Sequence, residues 1–221
     1  IFSLQYNPIF RMLGLLRQIA IWTWQLFLTM LILILPGWAI MLAGWKQWST
    51  YDSLTKVSIS AGISFALYPV LMLLTDTIDF HPGEIFFVWL PMLISIAYLI
   101  WRYRSGLTSI LINPLAFVLS AINNLKSNIT WPGFTTFVIV ILVIAVRLWA
   151  IRTLSTPMWG DSYQHTVITQ LIMDNGGLFQ SWLPYAPYKS LTIHFGFHAN
   201  SSVYAWISNS SARQAVIWMG Q

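Results

Sequence analysis

The sequence predicts an all-α membrane protein, a polytopic bundle of transmembrane helices with a long external loop carrying juxtamembrane amphipathic helices. Three observations predict it. Hydrophobic residues fill 57% of positions and Asp, Glu, Lys and Arg only 8%, whereas a soluble domain carries about 25% charged residues. So few charges cannot cover a water-facing surface, and most of the exterior has to face lipid. Second, four apolar stretches approach the roughly 20 residues that a helix needs to cross a hydrocarbon core of ~30 Å. Third, none of the four alternates like a barrel strand, and a helix satisfies each backbone group without water.

The first stretch runs from about Ile19 to Trp45, with a kink expected at Pro36 and with Trp38, Trp45 and Trp48 near one interface, where amphipathic rings collect. The second covers Val57 to Ile78 and contains Pro69. The third covers Ile85 to Trp101 and the fourth Phe134 to Ile151. Between the last two, Ile110 to Ile122 is apolar but short and interrupted by Pro114, so it reads as interfacial or re-entrant. A full crossing there would invert every later orientation. Asn123, Asn124, Lys126, Ser127 and Asn128 then form a polar break ended by Pro132 and Gly133. Residues 1–133 are accordingly read as an N-terminal set of helices with its interfacial segment. Residues 134–221 are read as a second region with one span, an external loop and the start of another span.

Lys and Arg in short loops report orientation. Lys46 and Lys56 flank the first connection, and Arg102, Arg104 and Lys126 follow the third helix. The second connection holds Asp76, Asp79, His81 and Glu84 and no basic residue. With the basic loops in the cytoplasm, the acidic loop and the exit of the fourth helix at Ile151 lie outside; Arg11 and Arg17 vote the other way. The formal net charge of +5 therefore reflects loops and headgroup contacts, and no basic run is dense enough for a nucleic-acid partner. With no Cys, neither a disulfide framework nor a thiolate metal site is available. The chain opens at Ile1 without a cleavable-signal pattern and ends inside a further apolar segment (Ala215 to Met219), so a longer polytopic protein is expected.

Beyond Ile151 the character changes. Residues 152–200 are polar and aromatic, with Pro157, Pro184 and Pro187, and a connection of about fifty residues is long enough to expect function in it. Asp161 to Met173 reads as a short amphipathic helix suited to lying on the membrane, with Asp161, His165, Ile168 and Ile172 on one stripe and Val167 and Leu171 beside it. Asp161 has two readings: an N-cap completed by Gln164, or a catalytic carboxylate. The two roles compete, because a carboxylate bonded to backbone N–H groups is a weaker base. His165, one turn on, is either interfacial or a partner of that carboxylate.

His194 and His198 would share a face if helical and could then ligate a divalent metal, although Gly196 weakens a helix and no third ligand is fixed. A pocket lined by aromatic rings is the other reading. Arg147 lies within the fourth apolar stretch, where a charge has to snorkel to the interface or find a partner; a lipid phosphate and Asp161 are candidates. Arg152 and Lys189 are further candidates for a phosphate. The acidic loop can be read as solvated turn residues or as a cation holder, and no metal spacing distinguishes them. Asn128, Asn200 and Asn209 match the Asn-x-Ser/Thr pattern, which is too common to use.

The run Pro157-Met158-Trp159-Gly160-Asp161-Ser162-Tyr163-Gln164-His165, then Asn175-Gly176-Gly177, Trp182, Pro184-Tyr185 and His194-Phe195-Gly196-Phe197-His198, resembles the first long external loop of bacterial GT-C type membrane glycosyltransferases. The likeness is to multispanning members related to the dolichyl-phosphate-mannose-dependent mannosyltransferase group. It covers about Phe134 to Gln221. The resemblance implies transfer of a sugar from a polyprenyl-phosphate donor to a glycan, lipid or protein acceptor outside the cytoplasmic membrane. It further implies Asp161 as catalytic base and loop helices lining the site, with Arg147 and Arg152 near the donor phosphate. His165, Lys189, His194 and His198 would line the substrate site, and no cofactor is assured. Two departures stand out. Asp161 is followed by Ser162 where many relatives carry an adjacent acidic pair, and three spans precede the loop instead of one. A transporter or flippase for a polar or lipid-linked substrate is the alternative, and a non-enzymatic scaffold a third reading. Intramembrane charges and inverted repeats would favour transport; only Arg147 is found and no repeat is visible.

Overall fold

Every regular element among the described residues is helical. The computed structural model describes residues 8–112, 131–158, 160–187, 189 and 194–220. In chain order the helices are α1 (Pro8–Gly44), α2 (Ser53–Asp76), α3 (Leu90–Ile112), α4 (Trp131–Ile151), α5 (Gly160–Asn175), α6 (Gly196–Ser208) and α7 (Ala212–Met219). Four of these elements carry spans long and apolar enough to cross a membrane: Met12–Gly44, Ser53–Asp76, Ile85–Gly106 and Trp131–Ile151. The chain is an all-α membrane protein. The third span starts where expected but its helix continues to Ile112, and most of the short apolar stretch 110–122 lies outside the described residues.

Prolines decide how the first helices pair. Pro36 and Pro69 both sit inside continuous helices, although each lacks the N–H that would bond the carbonyl four residues earlier. Pro36 leaves the Ile32 carbonyl without its donor, and the Tyr68 hydroxyl of α2 donates to that oxygen at 3.2 Å. Pro69 does the same to Phe65, and the Asn200 side-chain amide of α6 donates to Phe65 O at 3.0 Å. One helix later, Pro91 cannot serve Phe87. Immediately ahead of it the chain widens into a π turn over Ile85–Trp89, with Leu90 N–H bonding Ile85 O, five residues back instead of four. Close approach of α1 and α2 needs Gly37: a Cβ there would stand 2.0 Å from the Ser60 carbonyl oxygen, and Gly37 N–H donates to Ser64 Oγ at 2.7 Å.

Two compact units cut across the sequence boundary at 133/134. One takes the described residues up to Met92 together with Leu154–Gly220; the other is Leu93–Thr153. In the first unit α6 packs against α1, α2, α5 and α7. Its core joins Ile32 of α1, Tyr68 and Met72 of α2, Phe87 of the π turn, Leu171 and Ile172 of α5, and Val203 and Tyr204 of α6. Phe87 and Trp206 stack face to face, 6.2 Å between centroids and 7° between planes. The predicted stripe on α5 is buried at Val167, Ile168, Leu171 and Ile172, and Thr169, off that stripe, is buried as well. This middle of α5 is therefore enclosed on most sides, because α6 and α7 both pack on it. Only the two ends of the helix are open.

The acidic connection folds back on this unit. His81 lies 3.5 Å from Asp76 and 3.8 Å from Asp79, Glu84 accepts from the Trp89 indole at 3.0 Å, and Gly83 N–H bonds Gly176 O at 2.8 Å. Gly176 has φ +67°, and a Cβ there would lie 3.0 Å from His81 O, so the Gly176-Gly177 pair is what lets the end of α5 meet this loop.

Candidate active site

α5 begins at Gly160, which puts Asp161 in its first turn and not at the N-cap. There the carboxylate complements the positive end of the helix dipole while remaining exposed. It makes no hydrogen bond to another described residue, so of the two roles weighed from the sequence the capping box is absent. Ser162 and Thr166 turn their hydroxyls back onto the Met158 and Ser162 carbonyls. Tyr163, 71% exposed, flanks the carboxylate in sequence on the same open turn.

One turn further in, α5 meets α6 through two histidines. His165 Nδ1 and His198 Nε2 are 2.8 Å apart, with ring centroids separated by 5.0 Å. Phe197 lies edge-on to His165 at 5.6 Å. A second polar contact follows one turn along both helices, where Ser202 Oγ donates to Thr169 O at 3.2 Å. The pairs 165/198 and 169/202 advance together, so the two helices run in the same direction along this seam. His198 is 4% exposed. Burial, with the nearby His165 charge adding to it, lowers its pKa from 6.5 to about 4; the His194 backbone carbonyl opposes weakly. The ring is therefore neutral at physiological pH.

The expected face shared by His194 and His198 does not form. α6 starts only at Gly196, so His194 lies outside the helix and is exposed, while His198 turns into the unit. Glycine, poor inside a helix, is tolerated at its first position. Among the described residues no group of three or more His, Asp or Glu gathers in a way that could hold a metal ion. Lys189 is exposed in the connection between α5 and α6.

Arg147 and Arg152 belong to the other unit. Arg147 is exposed on α4. Arg152, just past the end of α4, lies over the Trp149 ring with its Cζ 3.7 Å from the centroid and donates to the Trp149 carbonyl. Such a cation on an aromatic ring suits a helix end at the headgroup level.

Sequence reasoning placed Asp161 and His165 on one stripe and missed the partner of His165. It also missed several buried polar groups on α6. Besides His198, Asn200, Ser201 and Ser202 are fully buried, and Tyr204 hydrogen-bonds Gln25 of α1. The signal available was the pair of prolines within apolar stretches, since each implies a carbonyl in need of a donor. No known protein family, curated protein or solved structure matches the chain.

Proposed function

We propose that this chain is part of a glycosyltransferase that moves a sugar from a polyprenyl-phosphate donor to an acceptor at the outer face of the cytoplasmic membrane. One observation carries the reading: Asp161, an exposed carboxylate with no hydrogen bond to another described residue, stands in the first turn of a helix whose middle is buried. A lipid-borne donor requires a site next to the bilayer, and an acceptor hydroxyl requires a base reachable from water. In the reaction the hydroxyl oxygen attacks the anomeric carbon, its proton passes to the Asp161 carboxylate, and the bond to the lipid phosphate breaks with its electron pair on the phosphate. Cations stabilise that departing charge, and Lys189, in the same unit as Asp161, is the residue assigned to it. His165 lines the acceptor side, one turn from Asp161, and the buried His198 contacts its ring from within the unit.

The test is Asp161→Asn in the full-length protein reconstituted with a polyprenyl-phosphate sugar. Loss of transfer of at least a hundredfold, with helical content and melting unchanged, is expected for a missing general base. Full turnover by that variant removes Asp161 from the role. A transporter or flippase is the second reading, favoured by the buried polar residues of α6 and the proline-interrupted bonding of α1 and α2. Movement of a labelled lipid-linked sugar across vesicles without formation of a glycosidic bond would decide for it.

A further inference from the structure

In the region after Ile151, α5 is not the part that lies on lipid, because its apolar stripe is buried under α6 and α7. The connection behind it is built differently. Between Asp174 and Lys189 the chain carries no charged residue. Leu178 and Phe179 sink into the core, and Trp182 meets the Phe179 ring edge-on, 5.7 Å between centroids. The chain then turns, and Leu183, Pro184 and Tyr185 stand exposed at the tip, Leu183 by 65%. The donors of this turn are already used. Leu183 N–H bonds Ser181 Oγ at 3.3 Å, Pro184 has no N–H, and Tyr185 and Ala186 N–H both bond Trp182 O, at 2.9 and 3.0 Å. A turn in water has solvent for its donors. A turn meeting lipid needs them closed, because hydrocarbon offers no partner to a bare N–H.

The base of the tip is fastened to the ends of two spans. Gln180 donates to Asp76 Oδ2 at 3.4 Å, at the last residue of the span Ser53–Asp76. Gly176 O accepts from Gly83 N–H at 2.8 Å, two residues before the span Ile85–Gly106 begins. The end of one span and the start of the next share one side of the membrane. Three residues reach about 11 Å at most, so the tip cannot stray far from that level. On the connection itself Ile78, Phe80 and Ile85 are exposed as well.

We infer that the Leu183-Pro184-Tyr185 turn is a membrane-docking tip, seated at the headgroup–acyl boundary of the leaflet where α2 ends and the third span begins. Its occupant is the lipid that the spans already face: the Leu183 and Tyr185 side chains enter the boundary while the carbonyls of the turn stay within reach of headgroup water. The placement holds whether or not the chain transfers a sugar.

The chain has no Cys, so one introduced thiol carries a nitroxide label without background. Leu183→Cys and Tyr185→Cys are labelled in the full-length protein, reconstituted in phosphatidylcholine vesicles, and collisions with oxygen and with a neutral nickel chelate are measured. Val70→Cys, on an exposed position of α2, is the lipid reference, and Ser49→Cys, exposed in the α1–α2 connection, is the water reference. Both tip labels should favour oxygen, with a ratio to nickel several-fold above that of Ser49→Cys. Adding Leu183→Asp to the Tyr185→Cys protein should lift the tip and lower that ratio several-fold, because a carboxylate is costly in the boundary. A ratio like that of Ser49→Cys at both tip positions overturns the inference, as does a Tyr185 label unmoved by Leu183→Asp. Exclusion of both reagents overturns it too, and would put a protein partner or a second copy on the tip. Both tip positions are exposed, and should one labelled variant fail to fold, the other decides.

Discussion

The Phe65 carbonyl of α2 receives its hydrogen bond from Asn200, a residue 135 positions away, at 3.0 Å. Asn200 also donates to Gly196 O at 2.8 Å. Both partners are carbonyl oxygens, which fixes the orientation of the amide, since only its nitrogen can serve them. Phe65 stands midway along a helix able to cross a membrane. The loop beyond Ile151 therefore does not simply cover the bundle; part of it bonds to the centre of a span.

Asn200→Leu should destabilise the protein by about 1 kcal/mol or somewhat more, because a buried carbonyl loses its donor. In a Pro69→Ala background the backbone supplies an N–H to Phe65 O, and the same substitution should cost distinctly less. Unfolding in mixed micelles, run as a double-mutant cycle, measures this coupling. Equal costs in the two backgrounds would show that the bond contributes nothing beyond packing.

Tyr68→Phe is the corresponding change at the other proline. Tyr68 is fully buried, and Phe preserves its ring, so the loss isolates the hydroxyl bond to Ile32 O. A destabilisation of about 1 kcal/mol is expected, and Pro36→Ala should reduce it. A cost unaffected by that substitution would place the role of Tyr68 elsewhere.

Gly37→Ala should be the most damaging single methyl in the chain. Its Cβ would fall 2.0 Å from the Ser60 carbonyl oxygen and 2.8 Å from Ser64 Oγ, and the first of these is backbone that cannot rotate away. Forcing the helices apart costs about 1–3 kcal/mol or more. Gly62→Ala, with nothing within 4 Å of the added carbon, is the matched control. Thermal midpoints of the two variants should differ clearly.

Acid should weaken the fold through His198. Its folded pKa is about 4 against an ordinary 6.5, so the unfolded chain binds this proton first. The stabilisation from the neutral ring is complete above pH 6.5, declines as pH falls through the window from 6.5 to 4, and changes no further below it. The full loss is about 3 kcal/mol at most. Melting measured between pH 7 and 5 should fall more steeply for wild type than for His198→Gln.

Composition and run length located the spans, because lipid exposure constrains both, and Pro36 and Pro69 were visible as interruptions. The start of α6 at Gly196 was not legible: helical spacing suggested that His194 and His198 act as a pair, but the helix begins between them. The partner of His165 was hidden for a different reason, since it comes from another helix and no local periodicity encodes a contact 33 positions apart. The full burial of Thr169 was missed because a single stripe describes a helix lying on one surface, and α5 is packed by two neighbours.

Pro36 and Pro69 also differ in how far along the chain their carbonyls find a donor. The acceptor at Ile32 is answered as soon as α1 and α2 come together, whereas the one at Phe65 waits for a segment synthesised much later. Without α6, the paired α1 and α2 leave the Phe65 oxygen lacking its Asn200 donor. That bond admits one register alone: a shift of α6 by a single residue would replace Asn200 by Ala199 or Ser201 and leave the Phe65 oxygen without its amide donor.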